Sequence, residues 1–499
     1  MRVLHAGWGY QPFRGGGLIA YAEDVMRAQV RRGDQVGYFF AGRHVPGLRR
    51  TRLLRWSRSG VRMYEVLNSP IPIALGRGTA FPERELDEPQ TERLFRQVLA
   101  RFDPDVVHIQ EIFGLPSSLI EVAREAGVPT VMTLQDYLPL CPTLKLYDAD
   151  GRICLRHRPA EQCQRCSRNA PLDTRHLQRE TTAQLLVALG RRFPATRDAA
   201  RAAMQAVAAR MPTRASTSPS ASPAPEDPAS RQQPSAAAYQ RRRDTNLGRL
   251  SRVNRLLAMS PRVEEIYAGL GVARERLSTL RLTVDHLAGL SPRSFETPPN
   301  RPCFATLNGA NSTEKGSQVV LEAVRKLDGE GLGGAYTLKV YGTVAVEVSD
   351  ELARSSPVRL EGAYGAPSLD RLLQDVDVGI VPSVWEEAYG YVGLEFLAKG
   401  IPVIGNAMGG IVDYTRPGQT GWVNETSDGA GLAALMAAVI RDPQQILDLH
   451  ERIVERRPEL IKPLHHHLSE LDLAYGEASA DARGSSPPAR GAAPRGSPQ

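Results

Sequence analysis

The sequence predicts an α/β protein built from two doubly wound halves that face a central cleft. Short apolar, β-rich runs alternate with helical stretches in the first half, a pattern typical of parallel strands covered on both faces. A second series of the same kind begins near Phe304. Between the two series, Leu290–Pro302 contains prolines that break regular structure. Because ligands of such sheets bind at the carboxyl ends of the strands, the two halves predict one shared cleft.

The individual elements follow from local patterns taken in chain order. The first long helix is predicted over Leu18–Arg32, where apolar residues recur at spacings of three and four and Gly33 supplies a stop signal. Strands of the first half are predicted at Arg2–His5, Val36–Phe40, Val106–Ile109 and Val128–Leu134. Strands of the second half are predicted at Phe304–Leu307, Tyr336–Tyr341, Val358–Leu360, Val376–Val381 and Pro402–Gly405. Glycine or a polar turn follows each strand of the second series, as expected of βα units.

Composition narrows the class of protein before any motif is considered. Hydrophobic residues make up 42% and charged residues 23% of the 499 positions, and no apolar run reaches the roughly 18 residues that span a bilayer. The start of the chain lacks the apolar region of a secretory signal, so we expect a cytoplasmic protein. The formal charge of +7 comes mostly from scattered arginines. Scattered charge is more typical of a solvated surface than of a nucleic-acid interface, and no nucleic-acid partner is predicted.

Two segments lack the apolar residues needed for a core. Positions 212–246 contain no Leu, Ile, Val, Phe or Trp, and Pro, Ser and Ala predominate there. Such a segment cannot bury enough apolar surface to offset its ordering entropy, so we expect a disordered insertion. The same argument predicts a disordered tail over 477–499. The predicted organisation is a first domain over 1–290, a second over 303–460, a C-terminal helix over 461–476 and the tail.

The residues best suited to bind a ligand lie between Pro382 and Ile411. Glu387 falls on a loop after a buried strand, and Glu395 falls in the first turns of the helix that follows. The next strand leads into Gly409-Gly410, where paired glycines let backbone amides approach a phosphate. Two such turns at neighbouring strand ends predict a site for a nucleotide diphosphate.

These motifs resemble the GT-B glycosyltransferases of family 4, the glycosyl transferases of group 1. The resemblance rests on the run from Pro382 through Val423 and on further motifs in the same order along the chain. Those motifs are Gly15-Gly16-Gly17, Asp105-Val106-Val107-His108, Ser260, and Glu314-Lys315-Gly316. It covers most of the chain apart from 212–246 and the tail. It implies two Rossmann-like domains, with the acceptor bound by the first and a nucleoside-diphosphate sugar by the second.

The resemblance also implies roles for single residues. Glu387 would hold hydroxyls of the donor sugar near the reacting carbon, and Lys315 would neutralise the diphosphate; these two are the predicted catalytic residues. Glu395 would hold the ribose. Backbone turns would complete the donor site at Gly16, Gly17, Gly409, Gly410 and Ile411.

Members of the family typically retain the anomeric configuration and need no metal for catalysis. His108, Gln135 and Asp136 are predicted on the acceptor side. A saccharide, a lipid-linked saccharide or a small metabolite would each fit as acceptor, and a lipid-linked one would imply peripheral membrane contact. Many members carry an arginine shortly before the Lys-Gly pair, and here Leu307–Thr313 contains none.

Four of the five cysteines crowd into the Cys-rich loop, residues 141–166. Cys163 and Cys166 form a Cys-x-x-Cys pair, with Cys141 and Cys154 upstream. Four thiolates in a reducing compartment favour a structural zinc site, and free thiols or a pair of disulfides are the alternatives. Because the loop follows Gln135-Asp136, we expect it to shape the acceptor pocket. Other hypotheses are a sugar-nucleotide epimerase of the same fold, a sugar-nucleotide-binding protein without turnover, and a zinc-bearing protein that binds nucleic acid.

Overall fold

The computed structural model describes residues 1–48, 50–72, 74–192 and 233–484. Its strands form two separate sheets, one of eight strands and one of six. Apart from one antiparallel pair, Arg52–Arg58 with Val61–Leu67, neighbouring strands in both sheets run parallel. The predicted fold class is therefore confirmed. The part of the chain that the structure describes contains no helix long and apolar enough to cross a membrane.

The first sheet has the strand order β3-β4-β2-β1-β5-β6-β7-β8. Its strands are β1 (Arg2–Gly7), β2 (Gln35–Ala41), β3 (Arg52–Arg58), β4 (Val61–Leu67), β5 (Val106–Ile109), β6 (Thr130–Leu134), β7 (Arg255–Ala258) and β8 (Leu277–Thr279). The order reverses between β1 and β5, whose carboxyl ends are adjacent because Val3 pairs with Val106. Such a reversal is where doubly wound sheets bind ligands.

Helices pack on both faces of this sheet. They are α1 (Gly17–Arg31), α2 (Pro82–Leu86), α3 (Pro89–Phe102), α4 (Leu119–Glu125), α5 (Ala160–Cys166), α6 (Arg175–Arg192), α7 (Ala236–Leu250) and α8 (Pro261–Gly269). The inner strands they cover are almost wholly buried, whereas the two edge strands, β3 and β8, are largely exposed. Two short 3-10 turns, Arg274–Arg276 and Asp285–Gly289, follow.

The second sheet has the strand order β11-β10-β9-β12-β13-β14. Its strands are β9 (Cys303–Leu307), β10 (Thr337–Tyr341), β11 (Val358–Gly362), β12 (Val378–Val381), β13 (Val403–Asn406) and β14 (Gly421–Asn424). Its helices are α9 (Ser317–Gly329), α10 (Val346–Arg354), α11 (Ala366–Leu372), α12 (Val392–Ala398), α13 (Ile411–Tyr414), α14 (Gly429–Arg441), α15 (Gln444–Glu455) and α16 (Arg457–Leu460). The order reverses between β9 and β12, so the loops that follow these two strands are neighbours.

Part of the predicted disordered insertion is instead a helix. Residues 236–246 belong to α7, and positions 193–232 lie outside the described residues. Buried polar contacts hold the helix in addition to the apolar packing of Leu250. Arg242 pairs with Glu85 at 2.6 Å and also donates to the Leu138 carbonyl at 2.8 Å, while Arg243 donates to the Leu140 carbonyl at 2.7 Å. The prediction was wrong here because composition does not reveal arginines that are buried with partners.

The C-terminal helix is longer than predicted and crosses to the first sheet. α17 runs over Leu464–Gly484, so residues 477–484 are helical, and the remaining predicted tail lies outside the described residues. Its Tyr475 hydroxyl shares a hydrogen bond of 2.8 Å with His108, and His467 shares one of 2.8 Å with Tyr21. These contacts attach the end of the second half to the first.

Candidate functional site

The centre of the candidate site is an ion pair between Lys315 and Glu387. Lys315 follows β9 and Glu387 follows β12, and the adjacency of those strands brings the two side chains together. The Lys315 ammonium bonds directly to Glu387 Oε1, which also accepts a hydrogen bond of 2.9 Å from the Ser383 hydroxyl. The ammonium lies 5.2 Å from the centre of the Trp385 ring. Glu387 is buried, whereas Lys315 stays one-third exposed and within reach of a ligand.

The turn at Gly409 and Gly410 is hydrogen-bonded to the loop that carries Glu386 and Glu387. The Gly409 amide donates to Glu386 Oε2 at 3.0 Å, and the Gly410 amide donates to the Glu387 carbonyl at 2.8 Å. A Cβ atom on Gly409 would lie 2.1 Å from that carbonyl oxygen, so only glycine fits. The Ile411 amide donates to Met408. The backbone amides of Gly409, Gly410 and Ile411, which were predicted to complete the donor site, are therefore engaged within the protein, where they fix the position of the loop.

Glu395 lies in the first turn of α12 with its carboxylate buried. Its Oε1 atom accepts a hydrogen bond of 2.7 Å from His286 Nε2, whereas Oε2 is buried without a partner in the part of the chain the structure describes. Burial raises the pKa of the Glu395 carboxyl, and the contact with His286 opposes that rise. An unpaired, buried carboxylate oxygen is costly unless a ligand supplies the missing donor.

The glycine turn of the first half meets the second half at Tyr391. Gly16 has φ of +102°, a conformation that favours glycine, and immediately precedes α1. A Cβ atom on Gly17 would lie 2.5 Å from Cε1 of Tyr391, so the ring packs directly on the backbone. No atom lies within 4 Å of the position a Cβ would take on Gly16. The start of α1 therefore faces the glutamate segment, with room beside Gly16.

The predicted acceptor-side histidine is part of the interior. His108 is fully buried; one ring nitrogen contacts Tyr475 and the other shares a hydrogen bond of 2.7 Å with Thr133. Burial lowers its pKa well below the ordinary value. Since both nitrogens are occupied by protein groups, we drop the predicted acceptor contact and assign His108 to the packing of α17.

Gln135 and Asp136 follow β6 at the carboxyl edge of the first sheet, and their acceptor-side role stays a prediction. The Gln135 amide nitrogen donates to the Gln110 carbonyl at 3.1 Å and to Glu111 Oε2 at 3.3 Å. Asp136 Oδ1 accepts from the Leu138 amide at 2.6 Å. The second oxygen of Asp136 and the Gln135 side-chain oxygen are buried without a partner among the described residues.

Sequence reasoning missed Glu111, which lies beside this pair. It accepts a hydrogen bond of 2.8 Å from the Trp8 amide, across the reversal between β1 and β5. Burial raises the pKa of the Glu111 carboxyl to about 8, and the negative charge of Asp136 adds to the rise. Burial also raises the pKa of Asp136 to about 6. The available signal was the position of Glu111 two residues after a buried strand.

Tyr137 is a second residue that the sequence did not single out. Its hydroxyl is buried without a partner among the described residues, and its ring stacks on Tyr267 with centroids 5.7 Å apart. Burial raises its pKa well above the ordinary value, and the charges of Glu386 and Glu387 add to the rise. The residue after Asp136 thus lies within electrostatic range of the loop that carries Glu387.

The four clustered cysteines form no disulfide bonds with one another. Cys141, Cys154 and Cys163 are buried and Cys166 is partly exposed. Burial raises the pKa of Cys163, and the charges of the other three cysteines add to that rise, which places the four within electrostatic range. Within residues 1–48, 50–72, 74–192 and 233–484, no group of three or more Cys, His, Asp or Glu side chains is arranged so that it could hold a metal ion.

Two family models match the chain on either side of the cleft. One described as "Glycosyl transferase 4-like domain" matches residues 16–197, and one described as "Glycosyl transferases group 1" matches residues 303–442. The folds and motifs of both halves agree with these matches. Both halves of the chain thus match glycosyl transferase family models, and the chain has the GT-B fold.

Curated relatives match over part of their length. The putative colanic acid biosynthesis glycosyltransferase WcaL of Escherichia coli (strain K12) is 26% identical over 189 residues, 35% of this chain and 46% of the relative. Glycogen synthase of Mycobacterium tuberculosis (strain CDC 1551 / Oshkosh) is 28% identical over 189 residues, 37% of this chain and 44% of the relative. The chain therefore spans about half the length of the curated relatives it matches.

Solved structures resemble the whole chain in fold. Sucrose-phosphate synthase from Thermosynechococcus elongatus has a TM-score of 0.59 at 14% identity, covering 96% of this chain and all of that one. Anabaena Alr3699/HepE in complex with UDP and glucose has a TM-score of 0.55 at 13% identity, covering 95% of this chain and 99% of that one. At such identities the likeness establishes the fold alone.

Proposed function

We propose that the protein is a retaining glycosyltransferase that moves a sugar from a nucleoside-diphosphate sugar to an acceptor hydroxyl. The observation that carries this proposal is the direct contact of Lys315 with Glu387 at the reversal of the second sheet. A cation and a carboxylate at that place can divide the donor between them. Lys315 would take the diphosphate, and Glu387 would take hydroxyls of the sugar.

The chemistry explains why both groups are needed. Breaking the bond between sugar and diphosphate places negative charge on the departing nucleotide and positive charge on the sugar ring. A fixed cation beside the phosphate stabilises the charge that develops there. Glu387, held by Ser383 and by its loop, orients the sugar so that the reacting carbon faces the acceptor. Retention of the anomeric configuration is proposed from the family resemblance.

Glu395 fits the role of holding the ribose. Its free Oε2 can accept a hydrogen bond from a ribose hydroxyl, while His286 keeps Oε1 in place. The two oxygens then have different partners, one from the protein and one from the ligand. This division explains why a buried carboxylate is left with one unpaired oxygen.

The donor base, the sugar and the acceptor follow less directly from the residues. The solved structures of Anabaena Alr3699/HepE contain UDP, glucose or UDP-glucose, which supports testing UDP-sugars first. We propose a saccharide, a lipid-linked saccharide or a small metabolite as acceptor, bound near Gln135, Asp136 and Glu111. A cytoplasmic location, with peripheral membrane contact if the acceptor is lipid-linked, belongs to the same proposal.

We propose that the cysteine cluster takes up a structural zinc ion that catalysis does not require, although no three of its thiols are grouped as metal ligands among the described residues. Four thiols lie within electrostatic range of one another, and thiolate sulfur is a preferred zinc ligand. The loop would then be fixed by the metal in addition to its hydrogen bonds.

A transfer assay tests the proposed activity. Purified protein is incubated with UDP-, ADP- or GDP-sugars, with and without saccharide acceptors, and the products are separated and their anomeric configuration is read by NMR. We expect a new glycoside with the donor's configuration, formed only with acceptor present. An altered sugar nucleotide formed without acceptor would instead indicate an epimerase, and binding without any product would indicate a protein without turnover.

A further inference from the structure

The Cys-rich loop carries a lysine across the cleft to the donor side. Lys145 belongs to the first half, yet its ammonium pairs with Glu314, the residue before Lys315 in the second half. The Glu314 carbonyl accepts a hydrogen bond of 2.9 Å from the Val384 amide. That bond ties Glu314 to the loop that carries Glu387. Lys145 therefore reaches the segment from which both predicted catalytic residues project.

The backbone around Lys145 is held in an uncommon conformation. Leu144 has φ of +64° and Leu146 has φ of +50°, values that residues with a side chain rarely adopt. Both leucine side chains are buried, and hydrogen bonds hold the backbone on either side of Lys145. The Tyr137 amide donates to the Leu144 carbonyl at 3.1 Å, and the Cys154 amide donates to the Leu146 carbonyl at 2.7 Å. Conformations of this kind persist where the surrounding structure enforces them, often at ligand sites.

The charges at this place are balanced without a donor. Lys315 is paired with Glu387 and Lys145 with Glu314, so each ammonium charge is balanced by one carboxylate. Although burial alone would raise it, the Lys145 ammonium holds the pKa of Glu314 below its ordinary value. A diphosphate brings negative charge that one lysine, already shared with a carboxylate, balances only in part. A second cation on a flexible stem can exchange its carboxylate for a phosphate oxygen.

We propose that Lys145 is a second cation for the diphosphate of the donor, held by Glu314 until the donor binds. The inference rests on the proposed function, since it assumes that a nucleoside-diphosphate sugar binds beside Lys315. It gives the Cys-rich loop a role on the donor side in addition to the acceptor side. Closing of the cleft on the donor would then depend on a contact from the first half to the phosphates.

Binding of nucleotides to four variants tests the inference. The affinities of UDP, ADP and GDP, and of the corresponding monophosphates, are measured by calorimetry for Lys145→Gln, Lys145→Arg, Glu314→Gln and the double variant K145Q/E314Q. For the diphosphate that binds the wild type best, K145Q should weaken binding about tenfold, because a charge-assisted hydrogen bond is lost. The monophosphate should lose less, and K145R should retain most of the affinity.

The Glu314 variant separates a phosphate contact from a merely structural ion pair. If Lys145 binds phosphate, E314Q frees the ammonium and affinity for the diphosphate stays the same or rises, while the double variant behaves as K145Q does. Equal losses in K145Q and E314Q, with no further loss in the double variant, would overturn the inference. An unchanged diphosphate affinity in K145Q would overturn it as well.

A matched control removes another lysine pair of the second half. Lys339 lies on β10 and pairs with Asp375. Lys339→Gln breaks this contact and should leave nucleotide affinity unchanged. Melting curves establish that each variant is folded, and K145R covers the case in which K145Q is not. Failure of all three diphosphates to bind the wild type would overturn the proposed function itself, and this inference with it. Wild-type binding that K145Q leaves intact overturns only the inference.

Discussion

The ring of Tyr391 lies so close to Gly17 that a Cβ atom there would be 2.5 Å from its Cε1 atom. Gly17 begins the first long helix of one half, and Tyr391 immediately precedes the helix that carries Glu395 in the other. The contact brings the two halves together at the candidate donor site. Its closeness explains why glycine is needed at position 17.

Gly17→Ala should impair the enzyme through the geometry of the cleft. The added methyl group forces Tyr391 or the start of α1 to move, and overpacking of this kind costs about 1–3 kcal/mol. We expect donor affinity, measured by calorimetry, to fall about tenfold, with folding preserved. Gly15→Ala is the matched control because no atom lies within 4 Å of its Cβ position. Equal effects of the two substitutions would contradict the proposed role of the contact.

Glu395→Gln should weaken donor binding more than it slows the chemical step. The substitution replaces the carboxylate that would accept a hydrogen bond from the ribose hydroxyl. Hydrogen bonds to charged groups contribute about 1.5–3 kcal/mol. Steady-state kinetics should show KM for the donor raised by roughly 10- to 100-fold, with kcat changed much less. A fall in kcat at unchanged KM would place Glu395 at the reacting centre instead.

Glu387→Gln should have the opposite kinetic signature. It removes the charge that orients the sugar and frees Lys315 for the diphosphate, so the donor still binds. Misplacement of the reacting carbon typically costs about 100-fold in rate. We expect kcat to fall by that factor while the Kd for the donor, measured by calorimetry, stays the same or decreases. Wild-type kcat in this variant would rule out the role assigned to Glu387.

The fold could be predicted from the strand and helix patterns, whereas Lys315 and Glu387 were singled out by the family resemblance; the structure shows that their side chains are in contact. Buried parallel strands appear as apolar runs, and the ends of β9 and β12 are followed by polar residues that have no place in a core. The pairing of Lys315 with Glu387 then depends only on strand order. The hairpin of β3 and β4 was not predicted, because β3 is a largely exposed edge strand and lacks the apolar run of a buried one.

Other parts of the structure depend on distant partners that a linear pattern does not contain. α7 is fixed by Arg242 and Glu85, which are more than 150 positions apart. His108 ends a strand, where a ligand contact is plausible from sequence, but Tyr475 of α17 covers it. Glu111 looks like any polar residue after a strand until its burial is known. In each case the deciding partner comes from the other end of a domain or of the chain.

The buried carboxyl of Glu111 predicts a pH-dependent stability. Its pKa is raised to about 8 in the folded protein, from an ordinary value of 4.5. Between these values the folded state binds more protons than the unfolded state, so stability falls as pH rises from about 4.5 to 8. Glu111→Gln has no carboxyl to ionise and therefore lacks this loss of stability. It should be the more stable protein at pH 8, by about 1 kcal/mol or more. Urea unfolding at pH 5.5 and pH 8 measures it, and a parallel pH dependence in both proteins would contradict the assignment.

The zinc proposal predicts a metal content and a matched pair of variants. Purified protein should contain about one zinc ion per chain by elemental analysis. Cys163→Ser combined with Cys166→Ser should remove it and lower Tm by several degrees, because a metal bound only by the folded state stabilises that state. Cys303→Ser, in the other half, should leave both quantities unchanged. If the purified wild type contains no zinc and has the same Tm as the double variant, the zinc proposal is wrong.

Lys315, Glu387 and Glu395 are proposed to hold one nucleoside-diphosphate sugar. The direct test is the Tm of the protein in the presence of UDP-, ADP- and GDP-sugars. A ligand at about 100 times its Kd stabilises the native state by about 2.7 kcal/mol. We expect at least one of these sugars to raise the wild-type Tm by several degrees and Lys315→Ala to abolish most of that rise. An equal rise in Lys315→Ala, or no rise with any of them in the wild type, would contradict the account.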